Sequence, residues 1–335
     1  MGRGTLSTLT TVDAVTVAEL PIGTILAVDG GNSKTDVLLA TASGEVLAQA
    51  HTGPFTPQAS GVRTAVDAVA EAVGEIRTAL GLPDGVALAR HLSAFVAGAD
   101  LPQEEEALAA EFAARGWTET VEVGNDSFAL LRAGASRPWG VAVVCGAGIN
   151  CVGISPTGRR ARYPALGELT GDWGGGHGLG KAALWAAIRG EDGRGPRTAL
   201  TEAVAAHFDA ETALDVALGI HLCTFPDERL HELSPLLMRV AAEGDEVALR
   251  IVHRQAAEVV AWARVTLAQL DLLDCDAEVV LGGGVLRAAV PVLMDRINTL
   301  AAEQIPAASL VVPARRPIHG ALLLGLDRLG LRVGE

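Results

Sequence analysis

An α/β protein of two domains built on one repeated plan is the fold the sequence predicts, and three observations carry that expectation. The stretch AVDGGNSKTDVLLATASGEVLA (residues 27–48) reads as apolar strand, glycine turn, alternating strand, glycine turn and third strand. VAVVCGAGINCVGISPTGRRARYPA (141–165) repeats that layout, with Val28 set against Val144, Gly44 against Gly158, and the second copy two residues shorter in the turn. Long Ala/Leu/Val patterns of helical period fill much of the remaining chain. Self-similarity at so wide a spacing indicates a duplicated domain rather than a solenoid of short repeats.

Taken in order, the polar Thr/Ser-rich residues 2–20 read as a frayed tail, so 1–21 is expected to be a flexible leader. TILAVD, TDVLLAT and EVLAQAH are three strands joined by GGNSK and ASG. A helix at about 60–80, a strand at SAFVAGAD, a helix at about 103–115 and the strand TVEVGND complete a first domain, placed at 22–135. The second domain is placed at 136–335, and it ends in another strand, glycine turn and helix, EVVLGGGVLRAAV. Helices at about 245–272 and 317–329 are apolar enough to serve a homodimer interface, and core packing explains them equally well.

A chain of 335 residues can bury a large core, and with 49% hydrophobic and 20% charged residues it belongs with ordinary globular proteins. Its net charge of −14 disfavours non-specific binding to nucleic acid or to an anionic membrane surface. No apolar run reaches the roughly 18 residues of a membrane span, and the start lacks the pattern of a signal peptide. A soluble cytoplasmic protein is expected, without a nucleic-acid or membrane partner. Cys145, Cys151, Cys223 and Cys275 form no CxxC pair, which argues against a zinc ribbon or a disulfide framework.

Three glycine turns after three strands have a use in phosphate chemistry, because backbone N–H groups free of side-chain bulk can wrap phosphate oxygens. In the first, Ser33, Lys34 and Thr35 add hydroxyls and a cation, while Asp29 at a strand end can hold magnesium through water. Each turn taken alone is equally a plain β-hairpin, where glycine is the default residue.

In order along the chain, VDGGNSKT, VGNDSFALL, CGAGINC, GELTGDWGGG and LGGGVLRA resemble the BadF/BadG/BcrA/BcrD ATPase family, and within it the N-acetylglucosamine kinases. The resemblance runs from about residue 24 to 328. It implies the actin/hexokinase/Hsp70 architecture: two ribonuclease-H-like domains with an interdomain cleft, and an enzyme that transfers phosphate from ATP, with Mg²⁺, to a small-molecule sugar. By that resemblance GGNSK (Gly30, Gly31, Asn32, Ser33, Lys34, then Thr35) is the first phosphate loop and Gly146, Ala147 and Gly148 the second. Gly283 and Gly284 form the adenosine-side turn. Asp126 is implied as catalytic base, a placement that suits a carboxylate taking the acceptor's proton and also suits a helix N-cap. Asn125, Asn150 and Asp172 are implied as sugar ligands, Asn125 being equally a turn former.

The chain departs from that pattern in places. Where the kinases carry GDEGS it has GDWGG, so Trp173 replaces an acid and could stack on a sugar or plug a gap. Ala147 and Ile149 stand where the kinases have a threonine and a serine. Thr56, Pro57 and Gln58 occupy the stretch where they carry an acceptor-reading asparagine, with Gln58 able to donate and accept in its place. The expected acceptor is an amino sugar, N-acetylglucosamine first and glucosamine second, phosphorylated on a primary hydroxyl.

Two alternatives stand beside it: an ATPase that activates a 2-hydroxyacyl-CoA dehydratase through a cysteine-held iron–sulfur cluster, and a sugar or nucleotide sensor without turnover. GGHGLGKA (175–182) nearly satisfies the P-loop pattern, but Ala182 lacks the magnesium-binding hydroxyl and no buried strand precedes it.

Overall fold

The computed structural model describes residues 25–331, so the leader expected at 1–21 lies outside the described residues. The chain divides into two compact units, one of residues up to 134 joined by those from 314 onward, the other of residues 135–313.

The first unit begins with β1 (Ile25–Gly30), β2 (Thr35–Ala40) and β3 (Val46–Thr52), followed by α1 (Pro57–Ser60) and α2 (Val62–Leu80). Next come β4 (Ala89–Val96), α3 (Pro102–Ala114), β5 (Thr118–Asn125) and α4 (Asp126–Gly134). The sheet order is β3-β2-β1-β4-β5, antiparallel through β1–β3 and parallel from β1 to β5. β2 throughout, and β1 apart from the half-buried Asp29, are runs of buried residues because the sheet is covered on both faces. α2 and α3 lie against it through a core that includes Val66, Val69, Leu108 and Phe112.

The second unit repeats the plan. It starts with β6 (Gly140–Cys145), β7 (Ile149–Ile154) and β8 (Arg160–Arg162), then α5 (Gly175–Glu191), α6 (Leu200–His207), α7 (Ala213–His221), α8 (Leu233–Ala242) and α9 (Glu246–Gln269). β9 (Glu278–Gly282), α10 (Gly283–Arg287), α11 (Pro291–Gln304) and β10 (Ser309–Val311) close it. The order β10-β9-β6-β7-β8, read from its β8 edge, is the first sheet's order strand for strand. The duplication is therefore present, with one correction to its register. β1 ends at Gly30 and β6 at Cys145, so Val28 matches Val143 rather than Val144, and the second hairpin turn (146–148) is one residue shorter than the first (31–34).

The last helix, α12 (Pro317–Arg328), falls in the stretch expected to belong to the second domain, yet it packs on α4, β1 and β4 of the first unit. Its Gly320 allows the backbone of α4 to come so close that a Cβ would lie 1.8 Å from the Ala129 carbonyl oxygen. The apolar face of α12 is thus used up in its own unit, as is that of α9 against β6, β7, α8 and α11. Among the described residues no helix is long and apolar enough to cross a membrane.

Candidate active site

In the first unit the carboxyl ends of three parallel strands meet at one edge, the position where open α/β sheets bind ligands. The register aligns Asp29 on β1 with Phe95 on β4, and Phe95 with Gly124 on β5; Asp126, two residues on, opens α4. Asp29 follows four fully buried residues, and its carboxyl is pushed up to about 7, first by burial and then by the like charges of Asp126 and Asp36, against the pull of Lys34 and Arg316. Burial also pushes the Asp126 carboxyl up to about 6, with hydrogen bonds from Ser127 acting the other way. Neutral pH therefore finds both groups close to their titration range, which suits a base and a cation ligand.

Asp36 has a different environment. Burial raises its carboxyl, but Lys34 at 2.8 Å and Arg316 at 2.5 Å outweigh it and hold the group below the usual carboxylate range. The two neighbouring cations are thus committed to Asp36, and Asp29 and Asp126 keep a surplus of negative charge. Helix capping falls to Asn125, whose Oδ1 accepts the Ser127 amide at 3.0 Å while its Nδ2 donates to Asp100 at 2.7 Å. Asn125 is buried and structurally engaged, and Asp126 is relieved of the capping role.

The first loop behaves partly as expected. Asn32 and Ser33 form its exposed tip, closed by the Gly31 amide donating to the Lys34 carbonyl at 2.9 Å. Gly30 is required by packing, since a Cβ there would lie 2.8 Å from Val96 and 3.0 Å from Phe55. Thr35 must be removed from the phosphate donors: it is fully buried in β2, and its hydroxyl donates to the Gly53 carbonyl at 2.9 Å. Thr56 precedes α1, and its carbonyl accepts from the Ser60 hydroxyl. Gln58 donates through Nε2 to the Gly98 carbonyl and to Glu104, each at 3.2 Å, so both of its N–H donors are spent within the unit.

In the second unit the loop Gly146–Gly148 is gripped from two sides by glycines with left-handed backbone. A Cβ on Gly175 (φ 73°) would meet the Ala147 carbonyl oxygen at 2.5 Å, and one on Gly283 (φ 80°) would meet the Cys145 carbonyl at 2.3 Å. The amides of Gly176 and His177, at the start of α5, donate to the carbonyls of Gly146 and Ala147 at 2.7 and 3.0 Å. The loop's carbonyls are tied down, and the Ala147 and Gly148 amides donate to nothing among the described residues. Gln255 on α9, fully buried, accepts the Gly175 amide at 3.0 Å and so anchors this grip. Gly284 has open space around it.

Asn150 on β7 accepts the Cys151 amide through Oδ1 at 2.7 Å. Asp172 accepts the Gly167 amide at 3.0 Å and the Thr170 hydroxyl at 2.6 Å, both at Oδ2. Trp173 packs on the second core, and the Arg254 guanidinium covers its ring at 3.9 Å. GGHGLGKA is the first part of α5 itself rather than a loop preceding a helix, and Lys181 lies 3.7 Å from Glu168. Cys145 and Cys151 are buried, which pushes both thiols up to about 12. Among the described residues no group of three or more His, Cys, Asp or Glu side chains could hold a metal ion by itself. Asp29 does suit Mg²⁺, which takes one or two carboxylates and completes its shell with water and substrate phosphates.

Sequence reasoning missed Asp36, Arg316, Asp100 and Gln255. Asp36 had a signal, a charged residue inside an apolar strand, and Asp100 a weaker one, an acid four residues past the end of β4. Arg316 and Gln255 had none.

The family model of the BadF/BadG/BcrA/BcrD ATPases matches residues 26–325. The chain belongs to that family. An N-acetylmuramic acid/N-acetylglucosamine kinase from Clostridium acetobutylicum is 24% identical over 78% of this chain and 85% of its own length. An N-acetyl-D-glucosamine kinase from Dictyostelium discoideum is 25% identical over 90% of this chain and 97% of its own. Among solved structures, a candidate N-acetylglucosamine kinase from Chromobacterium violaceum superimposes with a TM-score of 0.72 at 23% identity, covering 91% of this chain and 99% of that one. A ROK family glucokinase from Streptomyces griseus shares the fold at a TM-score of 0.53 and 17% identity, with 92% and 99% covered. As a member of the BadF/BadG/BcrA/BcrD family, the chain presents the expected three glycine turns and both strand-end aspartates on this shared fold.

Proposed function

We propose that this protein is an ATP-dependent sugar kinase that phosphorylates an amino sugar, N-acetylglucosamine before glucosamine, on its primary hydroxyl. The single observation that carries the reading is Asp126: a carboxylate at a strand end, free of its capping duty, with its pKa brought to about 6. A base for a hydroxyl needs that combination of availability and near-neutral affinity for a proton. Both curated relatives act on N-acetylglucosamine by name, one of them on N-acetylmuramic acid as well, which supports an N-acetylated amino sugar as acceptor.

In this reading Asp126 accepts the acceptor's hydroxyl proton as the new O–P bond forms to the γ-phosphorus and the bond to the β-phosphate oxygen breaks, releasing ADP. In the second unit the Ala147 and Gly148 amides bind phosphate oxygens; in the first unit the exposed tip of the loop, Asn32 and Ser33, offers donors of the same kind. The Gly175 and Gly283 contacts keep the second loop in the shape that leaves those amides outward, so the charge is met by donors already in place. Asp29 is the residue that would hold Mg²⁺, which would there neutralise phosphate charge. Asp172, through its remaining oxygen, and Asn150 are sugar ligands; Gln58 can only accept a hydrogen bond from an acceptor, its donors being spent.

The activator ATPase reading finds no support in Cys145 or Cys151, since a cluster ligand must be an accessible thiolate and both thiols are buried and held protonated. A coupled ADP-release assay over hexoses, hexosamines and N-acetylhexosamines tests the proposal. The expected result is a kcat/KM for N-acetylglucosamine about tenfold or more above that for glucose. A preference for glucose would overturn the acceptor, and no sugar-dependent ADP release would overturn the kinase.

A further inference from the structure

Asp126 is relieved of the helix cap because Asn125 holds its amide one way round, and a neighbouring side chain decides which way. An asparagine amide has nearly the same shape when turned over, but it carries an acceptor at one end and donors at the other. As it stands, Asn125 Oδ1 accepts the Ser127 amide at 3.0 Å; turned over, Nδ2 would face that amide, donor against donor. The contact that tells the two ends apart is Asp100, half-buried, whose Oδ1 accepts from Asn125 Nδ2 at 2.7 Å. A carboxylate has acceptors only, so it selects the N–H end and sends Oδ1 to the helix.

Asp100 is itself held. Its amide and that of Leu101 donate to Glu104 Oε2 at 3.0 and 2.9 Å, in the capping box that opens α3. Glu104 Oε1 accepts from Gln58 Nε2 at 3.2 Å, and Gln58 also donates to the Gly98 carbonyl, where the chain leaves β4 with a left-handed backbone (φ 73°). A line of hydrogen bonds, Gln58–Glu104–Asp100–Asn125–Ser127, thus joins α1, α3 and α4 within the first unit and ends beside Asp126. Asn125 and Ser127 are 4% and 1% exposed, so bulk water does not replace a partner lost there. Asp126 is the acceptor next to hand: the Ser127 amide and hydroxyl already act on its carboxyl, the hydroxyl from 3.4 Å.

We infer that Asp100 is a positioning residue for phosphoryl transfer: it fixes the facing of the Asn125 amide and thereby keeps Asp126 clear of the helix end and available to the acceptor hydroxyl. The inference rests on the reading of Asp126 as base and adds a residue that acts through it. With Asp100→Asn, position 100 can donate as well as accept, Asn125 can turn over, and the Ser127 amide is left to the Asp126 carboxylate. A base drawn into that hydrogen bond is turned away from its substrate and made less basic.

The experiment measures kcat and both KM values for ADP release with N-acetylglucosamine in the wild type, Asp100→Asn, Asp126→Asn, the double variant of these, and the swap Asp100→Asn with Asn125→Asp. In the swap the donor stands at 100 and the acceptor at 125, so the Ser127 amide keeps its partner and the total charge is unchanged. The expected result is a kcat about tenfold lower for Asp100→Asn, with both KM values within about twofold, and recovery of most of that loss in the swap. In the Asp126→Asn background, Asp100→Asn should change kcat by less than about twofold, since a residue that acts through the base then has nothing to act on. The inference is overturned by a near-normal kcat in Asp100→Asn, by a swap no faster than the single variant, or by a loss that persists undiminished without Asp126. Should Asp100→Asn fail to fold, Asn125→Ala, which removes the same acceptor, takes its place in the single and double variants. Failure of the kinase reading looks different: no sugar-dependent ADP release, or near-normal turnover in Asp126→Asn. A crystal structure of the single variant then decides the positioning role independently. An Asp126 carboxylate turned onto the Ser127 amide supports it, and an Asp126 side chain left where it stands in the wild type overturns it.

Discussion

Asp29 and Asp36 are register partners across the β1–β2 ladder, yet only Asp36 is neutralised, by Lys34 at 2.8 Å and Arg316 at 2.5 Å. The asymmetry separates two carboxylates of the same type into an ion-paired structural group and a group left with surplus charge. With Asp126 as a further like charge, Asp29 is the less stable of the two as an anion, and it is the one a cation would relieve.

That strain has a sign in stability. The folded-state pKa of Asp29, about 7, lies above its ordinary 3.8, so between those values the native state binds more protons than the unfolded chain. Stability contributed by this group is therefore present at low pH and lost as pH rises toward 7, and Asp126 adds the same trend up to about 6. Asp29→Asn should raise Tm at pH 7.5 while lowering activity, on the order of 2–4 °C for each kcal/mol recovered. A calorimetric melt showing a lower Tm at that pH would contradict this assignment of the charge.

Turnover should show the same titration from the other side. A base that must be ionised loses function as pH falls through its pKa, so kcat should decline below about pH 6. Asp126→Asn should lower kcat by about 10²-fold or more with ATP affinity nearly intact, and the acid limb should go with it. Steady-state kinetics with nucleotide binding measured separately check both.

The Thr35 hydroxyl is a strand contact, so Thr35→Val should cost about 1–3 kcal/mol of stability by leaving the Gly53 carbonyl unpaired. The KM for ATP should remain within about twofold, since this side chain is buried away from any ligand. A large KM change with an unchanged denaturation midpoint would restore the residue to phosphate binding.

Gly175→Ala combines a left-handed backbone with a Cβ 2.5 Å from the Ala147 carbonyl oxygen. It should raise the KM for ATP at least about tenfold, because the loop must move to make room. Gly146→Ala is the comparison, since a Cβ there has nothing within 4 Å and should be tolerated far better.

How much of this was legible in the chain follows from the range of the forces involved. Strand alternation, helical period and turn chemistry act within a few residues, so the repeated hairpins, the helices at 62–80, 102–114 and 246–269 and the strand-end positions of Asp29 and Asp126 could be read directly. The loop glycines could be read as well, but not their reasons: Gly30 answers to Val96 and Phe55, Gly175 to a loop some thirty positions earlier, and Gly283 to Cys145. Tertiary structure alone decided that Thr35 turns inward, that Asn125 rather than Asp126 caps α4, and that Gln58 spends its donors on Gly98 and Glu104. It also returned α12 to the first unit, carrying Arg316 to Asp36. A local pattern states which face of an element is apolar, but which distant charge comes to lie beside a carboxylate, and hence whether that carboxylate holds its proton near pH 7, depends on burial and neighbours that exist only once the chain has folded.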